Sequence, residues 1–199
     1  MSTLDLAGIY PPVPTFFAED EALDLPTLRT HIARLRGKGI TRFVALGSNG
    51  EAVHLDPDER RAVIAAIREA AGADAQVLAG AGTDSTRATI ALCRLAADCG
   101  ADAALVLPPH YYRGRMTPTA LAAHFRAVAD ESPIPVVLYN VPANTAGVDL
   151  DAETVISLST HPNIAGAKDT GGNLAKMAEI VAGAHEGFTM LAGNAGILL

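Results

Sequence analysis

Strands alternating with helices along the whole chain predict an α/β fold on a parallel sheet, and about seven such units point to a (β/α)8 barrel. Short apolar or β-branched runs recur at 8–14, 40–46, 76–79, 103–107, 134–139, 164–168 and 188–191. Helical patterns fill most of the intervals, at 26–37, 57–71, 85–99, 117–131, 151–158 and 174–184. Periodicity alone leaves a doubly wound sheet as the alternative.

Each element has its own local reason. The run from Gly8 to Pro14 is apolar and opens the series. The helix at 26–37 begins on Pro26, which suits a first turn, and Gly39 follows it. Asp56-Pro57 with Glu59 is a capping signature for 57–71, closed by Gly72. Asp84-Ser85 opens the helix that Gly100 ends, and Thr117-Pro118 opens the next. The runs at 134–139 and 164–168 end on Tyr139 and Lys168, each followed by polar turn residues.

The 199 residues are 49% hydrophobic and 19% charged, enough apolar material for one globular domain over 1–199. Seven strands fall short of the eight that close a barrel, and an open sheet exposes two edges. The chain is therefore expected to be a barrel truncated after about seven strands, incomplete at its C-terminus, or completed by another chain. A net charge of −7 without a basic run argues against nucleic acid and anionic membranes as partners. No apolar stretch reaches the ~20 residues of a bilayer span, and residues 1–10 lack the pattern of a signal peptide. Cys93 and Cys99 alone make no disulfide framework, which predicts a reducing cytoplasm.

In a parallel barrel the chemistry sits on the loops that follow the strands. These are Gly47-Ser48-Asn49-Gly50-Glu51, Pro108-Pro-His-Tyr111-Tyr112-Arg113, Tyr139-Asn140-Val-Pro142-Ala-Asn144-Thr145, Lys168-Asp169-Thr170-Gly-Gly172 and Gly193-Asn194-Ala-Gly196. An amine and a phenol at strand ends are the groups that form an imine and move its protons. Taken alone, a lysine there is more often a solvated charge, paired tyrosines more often packing, and a Gly-bracketed loop as often a turn as an anion cradle. Glu51 and Asp169 are candidate acids or loop-orienting groups. The six histidines have no metal-ligand spacing, so no metal is expected. Gly80-Ala-Gly82 begins like a dinucleotide fingerprint but lacks its third glycine, and there is no P-loop.

With these loops in order, the chain resembles the dihydrodipicolinate synthase/N-acetylneuraminate lyase family of pyruvate-handling class I aldolases. The resemblance runs from about Gly8 to the end and rests on Gly47-Ser-Asn-Gly-Glu51, Pro109-His-Tyr-Tyr112, Tyr139-Asn-Val-Pro142 and Gly166-Ala-Lys-Asp-Thr170. It implies a barrel followed by a C-terminal helical extension, here absent together with the eighth strand, and a homo-oligomer, tetramer or dimer. It implies that Lys168 forms the imine, that Tyr139 carries protons, and that Ser48 links Tyr139 to Tyr112 of a neighbouring subunit. Ser48 and Asn49 would hold the substrate carboxylate, with Thr170, Gly193 and Asn194 also lining the site. No cofactor is implied.

Within the family, Tyr112-Arg-Gly-Arg-Met116, Pro142-Ala-Asn-Thr145 and His161-Pro-Asn-Ile164 are similar to the branch that splits 4-hydroxy-2-oxoglutarate into pyruvate and glyoxylate. Ala146 departs from that pattern as an extra residue before Gly147. Two rivals stay open: condensation of pyruvate with aspartate semialdehyde, and an inactive fragment that binds an oxo acid or a partner. The synthases usually carry an arginine just after Tyr-Asn-Val-Pro, where this chain has Ala143-Asn144-Thr145.

Overall fold

The computed structural model describes residues 4–197. Its sheet has six parallel strands lying side by side in chain order: β1 Arg42–Ala45, β2 Gln76–Gly80, β3 Ala103–Val106, β4 Val136–Asn140, β5 Ile164–Asp169 and β6 Thr189–Ala192. Six helices accompany them: α1 Leu25–Arg36, α2 Pro57–Ala71, α3 Thr86–Asp98, α4 Pro118–Glu131, α5 Ala152–Ser159 and α6 Leu174–Gly183. The result is a curled half-barrel of βα units.

The caps explain why the helices start where they do. Asp56 and Glu59 form a reciprocal capping box on α2, while Ser85, Thr117, Asp151 and Asn173 each accept a first-turn N–H of α3 to α6. Of the pair Asp84-Ser85, only Ser85 caps the helix. Asp84 instead accepts the N–H groups of His110 (2.6 Å) and Tyr111 (2.7 Å), tying the β3 loop to the β2 loop.

The expected strand at 8–14 is not a full strand. Its contact with the sheet is one parallel bridge, Pro12 to Val44, held by Val13 N–H to Val44 O and Val44 N–H to Pro11 O. Pro11, Pro12 and Pro14 have no N–H to donate, so the ladder cannot continue. The sheet therefore has six named strands among the described residues, where the sequence predicted seven.

Alternate strand residues serve two different cores. Val44, Leu78, Ala103, Leu105, Val137 and Tyr139 meet on the inner face with Leu6. Their neighbours face outward: Phe43, Ala45, Val77 and Ala79 pack on Ile32, Val63, Ile64 and Ile67 of α1 and α2. Farther along, Ala104, Val106, Val136 and Leu138 pack on Phe125, Val128, Val155 and Leu158. No helix among the described residues is long and apolar enough to cross a membrane.

One irregularity positions the site. Val136 pairs with Ile164, but Val137 pairs with Gly166, so β5 carries one extra residue at Ala165. From there Tyr139 pairs with Lys168 and Asn140 with Asp169. Without that shift Lys168 would stand beside Asn140 and face the helices. Gly166 accommodates the bulge, since a Cβ there would lie 2.3 Å from Thr189 O.

Candidate active site

Lys168 and Tyr139 are neighbours across β4 and β5 and share the inner face at the C-terminal end of the sheet. Lys168 Nζ sits 4.2 Å from the centre of the Tyr139 ring. Tyr139 is nearly buried, at 5% exposure, and its hydroxyl lies 2.9 Å from Ser48 Oγ, each able to donate. Amine, phenol and hydroxyl thus form one contiguous line from three strand ends.

Ser48 is held by a strained turn. Leu46, buried at 3%, takes a left-handed backbone with φ of +54°, an uncommon conformation for a side-chain-bearing residue. It turns the chain into a single 3₁₀ turn over Ser48–Gly50. Among the described residues, neither the Ser48 nor the Asn49 N–H meets a backbone acceptor outside its own turn. Both groups remain available to an anion.

Gly80 and Gly82 acquire a meaning unrelated to dinucleotides. A Cβ on Gly80 would lie 1.9 Å from Leu46 O, and one on Gly82 2.2 Å from Leu107 N. Glycine at these two positions lets the β1 and β3 loops approach the end of β2 closely. A cavity of about 350 Å³ lies beside them, its lining including Ser48, Gly80, Leu105, His110, Tyr139 and Asn144. Lys168 lines a second, larger cleft of about 840 Å³ between the Ala7–Pro12 segment, α6 and β6.

Other residues named from the sequence are placed differently. Tyr112 is 71% exposed and stacks edge-on with Tyr111, with ring centres 5.1 Å apart, as part of a surface aromatic pair. Asn49 and Asn194 are exposed, and Asn194 Oδ1 accepts the Gly196 N–H. Thr170 Oγ1 donates to Asn140 O at 3.1 Å, leaving its lone pairs, not its proton, for another partner. Gly193 donates its N–H to Asp169 O at 2.7 Å, and a Cβ there would collide with Thr170 Cγ2 at 2.3 Å. Its backbone thus seals the β5–β6 edge of the site. The extra Ala146 lies at φ +51° beside Gly147 at +77°, forming a left-handed corner after the Pro142 turn.

A polar cluster behind the sheet, not gathered by the sequence reading, involves Asn140, Asp149, Asp169 and Lys176. Asn140 Nδ2 donates to Asp149 Oδ1 (2.6 Å) and Asp169 Oδ2 (2.8 Å), and Lys176 Nζ reaches the same two oxygens at 2.6 and 2.8 Å. The signal was strand alternation: Asn140 and Asp169 directly follow the two inward residues and so must face outward. Among the described residues no three His, Cys, Asp or Glu side chains gather as a metal site.

A lysine over a tyrosine ring, with the phenol hydrogen-bonded to a serine, thus stands at the strand ends of a parallel α/β sheet, where barrels of this class carry their sites. The chain belongs to the dihydrodipicolinate synthetase family, whose model matches residues 5–199. It is 47% identical over 196 residues to the "Probable 4-hydroxy-2-oxoglutarate aldolase, mitochondrial" of Emericella nidulans, covering 96% of this chain and 63% of that protein. It is 49% identical over 178 residues to the L-threo-3-deoxy-hexylosonate aldolase of Hypocrea jecorina, covering 87% of this chain and 56% of that protein. Among solved structures, the prophage protein YagE of E. coli K12, a dihydrodipicolinic acid synthase family member in complex with pyruvate, superposes with a TM-score of 0.87. The two are 35% identical, with 94% of this chain and 63% of that one covered. The chain thus spans less than two thirds of the length of these relatives.

Proposed function

We propose that the protein is a cofactor-free carbon–carbon lyase that forms an imine between Lys168 and a 2-oxo acid, with 4-hydroxy-2-oxoglutarate as substrate and pyruvate and glyoxylate as products. The observation that carries this is the line of Lys168 Nζ over the Tyr139 ring and Tyr139 OH on Ser48 Oγ. The 47% identity to a probable 4-hydroxy-2-oxoglutarate aldolase supports the substrate.

The neutral Lys168 amine adds to the keto carbon, and a proton from the Tyr139 hydroxyl lets water leave, giving the protonated imine and a Tyr139 phenolate held by the Ser48 hydroxyl. That phenolate then takes the proton of the substrate's 4-hydroxyl. The bond between carbons 3 and 4 then breaks, its electron pair entering the imine to give an enamine as glyoxylate leaves. Protonation of the enamine carbon and addition of water release pyruvate and restore the amine. The free N–H groups of Ser48 and Asn49 bind the carboxylate beside the keto group. Thr170, Gly193 and Asn194 line the remainder of the pocket, with Thr170 and Asn49 nearest the distal carboxylate.

Tyr112, exposed within one chain, is assigned to complete the relay of a neighbouring subunit. On this reading the functional unit is a homo-oligomer, dimer or tetramer, and the chain's free thiols suit a reducing compartment such as the cytoplasm. The 49% identity to an L-threo-3-deoxy-hexylosonate aldolase favours a second reading, a longer polyhydroxylated 2-oxo acid in the same pocket. Pyruvate release from the two acids, measured side by side with pyruvate–aspartate semialdehyde condensation, tests the assignment. Preferred cleavage of 4-hydroxy-2-oxoglutarate is expected. Preferred condensation, or preferred cleavage of the six-carbon acid, overturns the choice of substrate.

A further inference from the structure

We propose that Lys176 is a positioning residue for the site: its ammonium, bridging Asp149 and Asp169 behind the sheet, holds the end of β5 in the register that sets Lys168 against Tyr139. This rests on the imine-forming role proposed above for Lys168.

Lys168 faces the inner side and Asp169 the outer, so whatever fixes the Asp169 side chain fixes the backbone from which Lys168 projects. Asp169 is 2% exposed. Its Oδ1 accepts the Gly171 N–H at 2.6 Å, and its Oδ2 accepts from Asn140 Nδ2 and Lys176 Nζ, both at 2.8 Å. Asn140 in turn directly follows Tyr139, and its Oδ1 accepts the Leu150 N–H at 2.9 Å. One cluster therefore joins the residue after the amine to the residue after the phenol.

Among the described residues, Lys176 supplies the cluster's cation. Two carboxylates share the Asn140 amide, and burying one beside the other calls for a compensating cation. Burial lowers the Lys176 pKa, but its bonds to Asp149 and Asp169 and their charges raise it further, so the group is a committed ammonium. It is also pre-aligned: its side chain is 10% exposed, Nζ lies 3.3 Å from Leu150 O, and its own N–H is capped by Asn173 Oδ1. The bulge at Ala165 raises the stakes, because β5 already carries one slipped residue and the correct register is the one Asp169 pins.

The test compares Lys176→Met and Lys176→Arg in pyruvate trapping by borohydride, well below the melting temperature of each variant. Lys176→Met is expected to keep its far-UV circular dichroism yet lose about 10-fold or more in maximal trapping rate, in keeping with the cost of misplacing reacting groups by a fraction of an ångström. Half-saturation by pyruvate should move less than about 3-fold, since the carboxylate-binding turn at Ser48 is untouched. Lys176→Arg, which can bridge two carboxylates, should restore the rate to within about 3-fold. If Lys176→Met does not fold, Lys176→Gln takes its place under the same criteria. A folded, neutral variant trapping at the unsubstituted rate overturns the proposal, because a purely structural role would lower the melting temperature alone. Failure of the unsubstituted protein to trap pyruvate removes the Lys168 reading itself, and this inference with it.

Discussion

Replacing Tyr139 with Phe separates the chemistry of the site from its stability. The substitution keeps the ring on which Lys168 Nζ rests at 4.2 Å and removes only the hydroxyl 2.9 Å from Ser48 Oγ. One neutral hydrogen bond contributes about 0.5–1.5 kcal/mol, and Ser48 is exposed enough for water to replace its lost partner. The stability cost should therefore stay below about 1 kcal/mol, or roughly 2–4 °C in Tm for a chain of this size. A positioned proton carrier, by contrast, contributes about 10²–10⁴-fold in rate, or roughly 3–5 kcal/mol of barrier. Pyruvate release from 4-hydroxy-2-oxoglutarate and thermal melts of the same preparations measure the two effects. A loss of 100-fold or more in kcat (about the lower bound for such a carrier) with a Tm shift of a few degrees is expected. Cleavage retained within about 3-fold would refute the relay, since general acid–base transfer cannot be that dispensable.

Other consequences of the geometry can be checked as directly. Gly80→Ala places a Cβ 1.9 Å from Leu46 O, so the β1 loop must move; a loss of about 1–3 kcal/mol in urea unfolding is expected, with Ser48 displaced and trapping slowed. An unchanged unfolding midpoint would mean the loop packs otherwise. Burial pulls the His124 pKa from 6.5 down to about 4, with Asp84 opposing weakly. Because the unfolded imidazole protonates first, this group's contribution is complete above pH 6.5 and is lost as pH falls toward 4, by roughly 3 kcal/mol in all. His124→Asn, whose amide can still meet Thr86 Oγ1 (now 2.9 Å from Nδ1), should flatten the dependence of Tm on pH between 6.5 and 4. A variant with the unsubstituted slope would place the dependence elsewhere.

Much of the fold was legible because its signals are local. The helices begin at Asp56-Pro57, Ser85 and Thr117 as cap chemistry dictates, and Gly39, Gly72 and Gly100 take φ of +84°, +82° and +80° just past helix ends. The first strand was misread because an apolar run that includes Pro11, Pro12 and Pro14 matches a strand in hydropathy but not in hydrogen-bond donors. The pairing of Lys168 with Tyr139 was harder to see. It depends on the slip at Ala165, which only Gly166 hints at, and a one-residue error in register would have turned the amine outward. Gly80 and Gly82 looked like half a nucleotide motif because close backbone approach and phosphate binding select the same residue. The Asn140–Asp149–Asp169–Lys176 cluster joins the ends of β4 and β5 to helix α6 and the loop before α5; alternation turns Asn140 and Asp169 outward, but no spacing announces Asp149 and Lys176 as their partners.

All of the proposed chemistry depends on Lys168 as the nucleophile. The protein is incubated with pyruvate, reduced with borohydride, digested and mapped by mass spectrometry, alongside Lys168→Arg. Reduction of a Lys168 imine leaves a stable carboxyethyl group on that nitrogen, and the account predicts this adduct on the peptide containing Lys168 and none in the variant. No adduct on folded protein, an adduct on another lysine such as Lys176, or labelling that persists in Lys168→Arg would contradict it.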